Sequence, residues 1–191
     1  MSYSYTARLP QRLRSLVESE LRPRERIAWL EQPIPGRMAL WELPTMVFGI
    51  FWTAGSMSWW RDAYKMEREL VWFSAFHLPF ILIGFGMLSS PYWARRMALR
   101  SAYVLTDRRA ILFTAGWLGN VTVRSFEAER LTILRCKKHA DGSGDLVFAI
   151  DTDYDDGSTD VGFLAIRKVK VAEKLVRALK KSKRTIWDEV V

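Results

Sequence analysis

The sequence predicts a membrane α+β protein, in which a two-helix transmembrane hairpin is inserted into a cytoplasmic seven-stranded β-barrel or sandwich covered by a C-terminal helix. Two long apolar runs, residues 38–60 and 70–94, flank a short charged segment. Apolar and polar residues then alternate with period two between short turns from residue 101 to 166, a pattern typical of antiparallel strands. A helical apolar stripe over residues 168–181 follows.

The two apolar runs predict the membrane hairpin. Each is longer than the ~20 residues that a helix needs to cross ~30 Å of hydrocarbon. The second run contains no Asp, Glu, Lys or Arg, and the first contains only Glu42. Aromatic residues such as Trp41, Trp60 and Trp93 lie near the run ends, where amphipathic rings prefer the headgroup zone. The alternative is a helical hairpin in the core of a water-soluble domain.

Arginine placement predicts the orientation of the hairpin. Positive residues flank the outer ends of the two runs more densely than the loop of residues 61–69 between them. They are Arg22, Arg24, Arg26, Arg37, Arg95, Arg96, Arg100, Arg108 and Arg109, against Arg61, Lys65 and Arg68 in the loop. Because positive residues stay on the cytoplasmic side, we expect a multi-pass membrane protein with both termini in the cytoplasm.

Composition limits the chemistry. The 191 residues carry a net charge of +8, and a single cysteine, Cys136, excludes an intrachain disulfide or a Cys-based zinc site. The first 37 residues have no apolar core of a signal peptide, so the first run is expected to direct insertion itself. Nine Lys or Arg against one acid over residues 167–184 suit either an anionic leaflet or a solvated helix face.

The sequence predicts five regions along the chain. Residues 1–21 form an N-terminal amphipathic helix that lies on the bilayer or, as we favour, packs on protein. Residues 22–36 supply a first strand near Trp29, and residues 37–95 form the hairpin. Residues 96–182 hold six strands and the C-terminal helix, and 183–191 are a tail. The six strands are predicted at 101–106, 109–115, 121–126, 131–136, 145–151 and 160–166, the last pair joined at Asp156-Gly157.

The segment from Tyr103 to Ile111 resembles a known signature. It reads Y-V-L-T-D-R-R-A-I and is similar to the strand-turn-strand signature Y-x-L-T-D-R-R of bacterial PH-like domain proteins. The segment from Arg24 to Trp29 is similar to the first strand of that family, with Arg24 where glycine is common. The matching signature residues are Tyr103, Leu105, Thr106, Asp107, Arg108 and Arg109. The resemblance implies a PH-like domain that binds or scaffolds near a membrane and often self-associates. Together with the predicted hairpin, it implies a location in the bacterial inner membrane.

No catalytic or metal-binding residues are predicted, and we expect no enzyme and no cofactor. The acidic run from Asp151 to Asp160 fails as an EF-hand, because Asp156 stands where the loop needs glycine and Gly162 where it needs glutamate. His77 and Glu42 are ionisable residues inside the runs, and we expect structural roles for both because their levels in the hairpin differ by ~16 Å. No aromatic platform accompanies the basic C-terminal helix, so no nucleic-acid partner is expected.

The predicted function is a membrane-anchored PH-like binding or scaffold module that contacts lipid headgroups or a protein partner. The arginines that follow the second run are the candidates for headgroup contact: Arg95, Arg96, Arg100, Arg108 and Arg109. They equally fit a role as topology determinants. The expected partners are the lipid bilayer and a protein partner or a second copy. The alternative function is a regulatory or accessory subunit of a membrane transporter or enzyme complex.

Overall fold

The computed structural model describes residues 9–66, 71–129, 131–153 and 157–188, and the chain divides into two compact units. The β unit comprises residues 1–34 and 97–191, and the helical unit comprises residues 35–96. Part of the loop predicted at 61–69, the turn at Asp156-Gly157 and the end of the tail lie outside the described residues. The bounds of the five predicted regions stay a prediction.

Thirteen elements are described in chain order. They are α1 (Gln11–Glu20), β1 (Ile27–Glu31), α2 (Pro35–Trp41), α3 (Leu43–Met66), α4 (Val71–Leu88), α5 (Ser90–Leu99), β2 (Ala102–Thr106), β3 (Arg109–Ala115), β4 (Val121–Glu127), β5 (Arg135–Lys138), β6 (Gly144–Asp153), β7 (Gly157–Ile166) and α6 (Val169–Asp188).

The strands of the β unit form two antiparallel sheets. The first has the order β1-β2-β3-β4, and the second has the order β5-β6-β7. Alternate residues of β2 enter two different cores, because successive side chains of a strand point to opposite faces. Tyr103 and Leu105 join the core shared with β6, β7 and α6, whereas Ala102 and Val104 pack with α1 on the other face of the first sheet. Strand β2 is therefore buried on both faces.

Helix α1 covers the outer face of the first sheet. It buries Leu13 and Val17 against Val104, Ile111 and Phe113. Leu16 stays 41% exposed, so the apolar stripe of the helix is only partly used. Of the two expectations for the N-terminal helix, packing on protein is the one found.

The predicted closed seven-stranded barrel is wrong, because the strands are divided between two antiparallel sheets of four and three strands. The division occurs in the segment predicted as strand 131–136, of which only Arg135 and Cys136 belong to a strand. Leu131 instead turns into the core, where it is 1% exposed, and the backbone N–H of Leu134 donates to the carbonyl of Val147. No ladder joins β4 to β5 within the described ranges.

The predicted transmembrane hairpin is wrong as well: none of the helices in the described part of the chain is both long enough and apolar enough to cross a membrane. The run 38–60 is divided between α2 and α3, and α3 continues past Arg61 and Asp62. The run 70–94 is broken at Ser89, between α4 and α5. The 18 residues of α4 rise ~27 Å, short of ~30 Å of hydrocarbon. The predictions of a multi-pass protein and an inner-membrane location with cytoplasmic termini are therefore wrong.

Helices α3 and α4 form an antiparallel pair that meets at glycines. A Cβ atom on Gly49 would lie 2.7 Å from Cβ of Met87, and one on Gly84 would overlap the hydroxyl of Thr53. That hydroxyl donates to the carbonyl of Gly49 at 2.7 Å, so it is not free to move aside. The indole N–H of Trp52 also crosses between the helices, donating to the carbonyl of Phe80 at 2.9 Å. Close backbone approach thus holds the pair together.

We expect Gly84→Ala to destabilise the α3–α4 pair by about 1–3 kcal/mol, because the added methyl group overpacks the contact with Thr53. Gly86 is the matched control, since it lies on the same helix and a Cβ there meets nothing within 4 Å. Gly86→Ala is expected to be neutral or to stabilise by about 0.5–1 kcal/mol through helix propensity. Hydrogen exchange of α3 and α4 peptides measures both effects. Equal changes in the two variants would contradict the packing argument.

Candidate functional site

The signature turn between β2 and β3 is built around a buried ion pair. The guanidinium of Arg109 donates from Nε to Oε1 of Glu25 at 3.0 Å and from Nη2 to Oε2 at 3.1 Å, a bidentate arrangement. The two side chains are 5% and 0% exposed. Nη2 of Arg109 also donates to the carbonyl of Glu20 at 2.7 Å, and Nη1 donates to Oγ of Ser125 at 3.2 Å. The pair therefore links the end of α1 and the start of β1 to β3 and β4.

Thr106 and Asp107 complete this network. The hydroxyl of Thr106 donates to Oε1 of Glu25 at 2.7 Å and accepts from the backbone N–H of Arg109 at 3.0 Å. Asp107 accepts from the backbone N–H of Arg26 at 3.0 Å, and its own N–H donates to the carbonyl of Arg26. Thr106, Asp107 and Arg109 of the T-D-R-R motif thus all make hydrogen bonds that stabilise this fold.

The electrostatics of the network favour its charged form. Burial by itself would raise the pKa of Glu25, but hydrogen bonds from Arg109, the backbone of Arg22 and Thr106 outweigh burial and lower the pKa to about 2. The hydrogen bond to Glu25 raises the pKa of Arg109 above its already high ordinary value. Both groups are therefore ionised at neutral pH, and the network offers no group that exchanges protons there.

The five candidate headgroup arginines lie in different environments. Arg109 is buried in the ion pair and cannot contact a headgroup without unfolding the turn. Arg108 is half-buried, and Arg95, Arg96 and Arg100 are exposed. Arg96 lies over the ring of Trp93, 5.7 Å from its centroid, and donates to the hydroxyl of Tyr92 at 3.4 Å. Arg95 and Arg96 belong to the helical unit, and Arg100 and Arg108 belong to the β unit.

Helix α6 presents a second set of cations. Lys170, Lys174, Arg177 and Lys181 recur at helical spacing on one side and are all exposed; we call these four residues the basic face. On the opposite side of α6, Val169, Ala172 and Val176 are buried in the core of the β unit. Packing of the apolar side fixes the direction in which the basic face points.

His77 and Glu42 are not brought together as a catalytic pair. His77 is 5% exposed, and its ring lies 5.5 Å from the ring of Trp59 at an interplanar angle of 64°. Glu42 is half-buried at the junction of α2 and α3. His77 lines a cavity of about 420 Å³ whose other walls include Trp52, Trp59 and Phe80. Aromatic contacts dominate this cavity, which suits the structural role expected for His77.

The described side chains do not form a metal-binding site. In the residues that the structure describes, no three His, Cys, Asp or Glu side chains are grouped so that they could hold a metal ion. The expectations of no metal, no cofactor and no enzymatic activity stay predictions.

Sequence reasoning missed two features of the β unit. Glu25 was not identified as the partner of Arg109, although it lies in the first-strand segment that carries the family resemblance. The second feature is the exposure of two apolar side chains in the turn of residues 116–120, where Trp117 is 67% and Leu118 89% exposed. The sequence pattern predicts the turn, but the exposure of its apolar residues depends on the neighbouring elements.

Comparison with known proteins adds no family. No protein-family model matches the chain, and no curated protein or solved structure matches it either. The resemblance to bacterial PH-like domains therefore stays a prediction that rests on the quoted residues.

Proposed function

We propose that this chain is a non-catalytic binding and scaffolding module whose β unit contacts phosphate-bearing lipid headgroups. The basic face of α6 is the observation that carries this proposal. Headgroup phosphates are fixed anions at a surface, and a rigid row of exposed lysines and arginines is the chemistry that binds them.

An acid of the same helix offsets only part of the charge of the basic face. Glu173 is the one acid among residues 169–181 of α6, and it is already paired with Lys138 at 2.6 Å and with Arg177 at 2.9 Å. The ion pair with Lys138 and Arg177 lowers the pKa of Glu173. Within α6, Glu173 thus pairs with Arg177 and not with Lys170 or Lys174. Two further exposed cations, Arg100 and Lys168, belong to the same unit.

The expected strength follows from these charges. A basic residue held near an anionic lipid surface gains about 1 kcal/mol, so the four residues of the basic face supply roughly 4 kcal/mol. That energy corresponds to a Kd of about 1 mM, and the other exposed cations of the β unit strengthen the attachment further. This attraction decays over a Debye length of about 10 Å at 0.1 M salt. Binding should therefore weaken steeply as salt is added.

A second candidate function is an accessory subunit of a larger complex, and the surface of the helical unit favours it. Large apolar side chains are exposed along both helices of the α3–α4 pair, including Phe48, Phe51, Trp59, Leu82, Ile83 and Phe85. Extended exposed apolar surface marks an interaction site. In this function, a protein partner takes the place of the headgroups as the principal contact of the module.

The test compares flotation of the full chain with zwitterionic vesicles and with vesicles that contain phosphatidylglycerol. We expect a clear preference for the anionic vesicles, and we expect Lys170→Glu combined with Lys174→Glu to weaken that binding about tenfold or more. Arg12→Glu combined with Arg26→Glu is the matched control, because both arginines are exposed in the same unit and the net charge changes equally.

The control separates a directed surface from general attraction. Equal losses in the two double variants would show that net charge alone drives binding, and the basic face would lose its role. Equal, negligible binding to both vesicle types by the unchanged chain would overturn headgroup binding and leave the accessory-subunit function.

A further inference from the structure

The turn between β3 and β4 carries two large apolar side chains at its apex. Trp117 is 67% exposed and Leu118 is 89% exposed, more than any other large apolar residue described in the β unit. We call residues 116–120 the tip. Water at an apex is an unfavourable environment for an indole and a leucine side chain, so a surface that covers them would gain free energy.

The backbone of the tip is fixed. Gly116 donates its N–H to the carbonyl of Asn120 at 2.7 Å, and Gly119 donates to the carbonyl of Gly116 at 3.1 Å. Gly119 has a φ of +87°, a conformation that residues with a Cβ atom rarely adopt. A Cβ atom on Gly116 would overlap the side chain of Asn120. These contacts fix the turn that carries Trp117 and Leu118 at its exposed apex.

A cation lies directly against the tip. Nη1 of Arg100 is 3.4 Å from the position that a Cβ atom would take on Gly119. The chain that carries Arg100 is held there, because Ser101 accepts the N–H of Ala115, the last residue of β3, at 3.0 Å. Leu99, beside Arg100 in the chain, is 48% exposed. An apolar apex and a guanidinium therefore lie side by side.

We infer that the tip inserts Trp117 and Leu118 into the interfacial layer of a lipid surface, with Arg100 at the level of the phosphates. Indole rings prefer the headgroup zone, and a guanidinium binds phosphate oxygens with several donors. This inference rests on the proposed headgroup function and adds the apolar contact that charges alone do not supply.

The shape of the tip favours lipid over protein as the occupant. The surface area of two side chains at the apex of a turn is far smaller than the ~800 Å² that each partner buries in a stable protein interface. A lipid surface can deform around an apex of this size, and its phosphates can contact Arg100 at the same time. The charge of the neighbouring arginine complements an anionic surface and not an apolar protein pocket.

A site-specific label tests insertion in the full chain. In a Cys136→Ser background, Leu118→Cys carries an environment-sensitive fluorophore, and Ala140→Cys, exposed in the turn between β5 and β6, carries it in the control. On vesicles containing phosphatidylglycerol we expect a blue shift and an intensity rise at position 118 and no change at position 140. Equal responses at the two positions would overturn insertion of the tip.

Paired substitutions test the contribution of the tip to binding. Trp117→Ser combined with Leu118→Ser is expected to weaken binding to these vesicles about tenfold while the preference for anionic over zwitterionic vesicles remains. Leu134→Ser combined with Ile150→Ser removes exposed apolar side chains elsewhere in the β unit and should leave binding unchanged. If both double variants bind alike, the tip does not insert.

The two proposals fail in different ways. Selective binding to anionic vesicles without a label response at position 118 would remove the tip and leave the headgroup function intact. A label response at position 118 on both vesicle types, without selectivity, would support the tip and overturn the role of the basic face. Absence of any binding would overturn both.

Discussion

Replacing Arg109 with methionine is expected to lower the free energy of unfolding of the β unit by about 3–5 kcal/mol, because the substitution leaves the carboxylate of Glu25 buried without its partner. Glu25 keeps the hydrogen bonds from Thr106 and from the backbone of Arg22, but neither neutralises its charge. The variant also leaves the carbonyl of Glu20 without the hydrogen bond that Arg109 donates to it at 2.7 Å. Urea denaturation of the full chain, with hydrogen exchange of the 102–115 amides as the local readout, measures the loss.

Arg108→Met is the matched control for this prediction. It removes the same charge one residue away, from a half-buried side chain, and should change stability by less than about 0.5 kcal/mol. If Glu25→Leu is combined with Arg109→Met, the loss should be smaller than the sum of the single losses, since no buried charge is left alone. Similar losses for Arg108→Met and Arg109→Met would refute the central role of the ion pair.

Local sequence signals predicted β2 and β3 because period-two alternation and the turn residues depend only on neighbours in the chain. Their partner could not be predicted in this way, because Glu25 and Arg109 are 84 positions apart. The resemblance does bear on the backbone conformation of this segment, since it places a glycine where this chain has Arg24. Arg24 has a φ of +66°, a conformation that glycine adopts at lower cost. The preference for glycine there thus has a conformational reason in this chain.

The apolar runs show where hydrophobicity alone is insufficient. Each run looks continuous by composition, yet helices begin inside both of them. Pro44 and Pro91 each occupy the second position of a helix, where a missing N–H removes no intrahelical bond. These prolines mark helix starts that the length of the apolar runs does not reveal.

Packing roles within a helix are equally hidden from composition. Glycines allow close helix approach, and both Gly84 and Gly86 lie in the second apolar run. Only Gly84 faces α3, whereas Gly86 meets nothing within 4 Å. The rotation of the helix about its axis decides which glycine is used, and two apolar faces of similar character do not reveal that rotation in the sequence.

Acid is expected to weaken the β unit through Glu25, and the sign follows from the lowered pKa. The pKa of this carboxyl falls from its ordinary value of 4.5 to about 2 in the folded chain, so the folded state binds fewer protons than the unfolded state between these values. The contribution of Glu25 is complete above pH 4.5, declines as the pH falls, and is lost below pH 2. Its size is about 3 kcal/mol.

Glu31 acts in the opposite direction and must be separated from Glu25. It is 6% exposed, and burial raises its pKa even though it accepts the backbone N–H of Arg167 at 2.7 Å. A raised carboxyl pKa gives stability that is largest below the unfolded pKa and is lost as pH rises through the folded value. Protonation of Glu31 in acid therefore hides part of the loss caused by Glu25.

Stability measured from pH 7 to pH 2 in a Glu31→Gln background isolates Glu25. In that background the free energy of unfolding should fall by about 3 kcal/mol more than it does when Glu25→Gln is added, because the amide has no proton to gain. The difference between the two curves should open below pH 4.5, where the unfolded carboxyl begins to bind protons while the folded one remains paired with Arg109. Parallel curves over this range would mean that the ion pair does not hold the proton affinity of Glu25 down, and the stabilising role of the signature turn would have to come from its neutral hydrogen bonds alone.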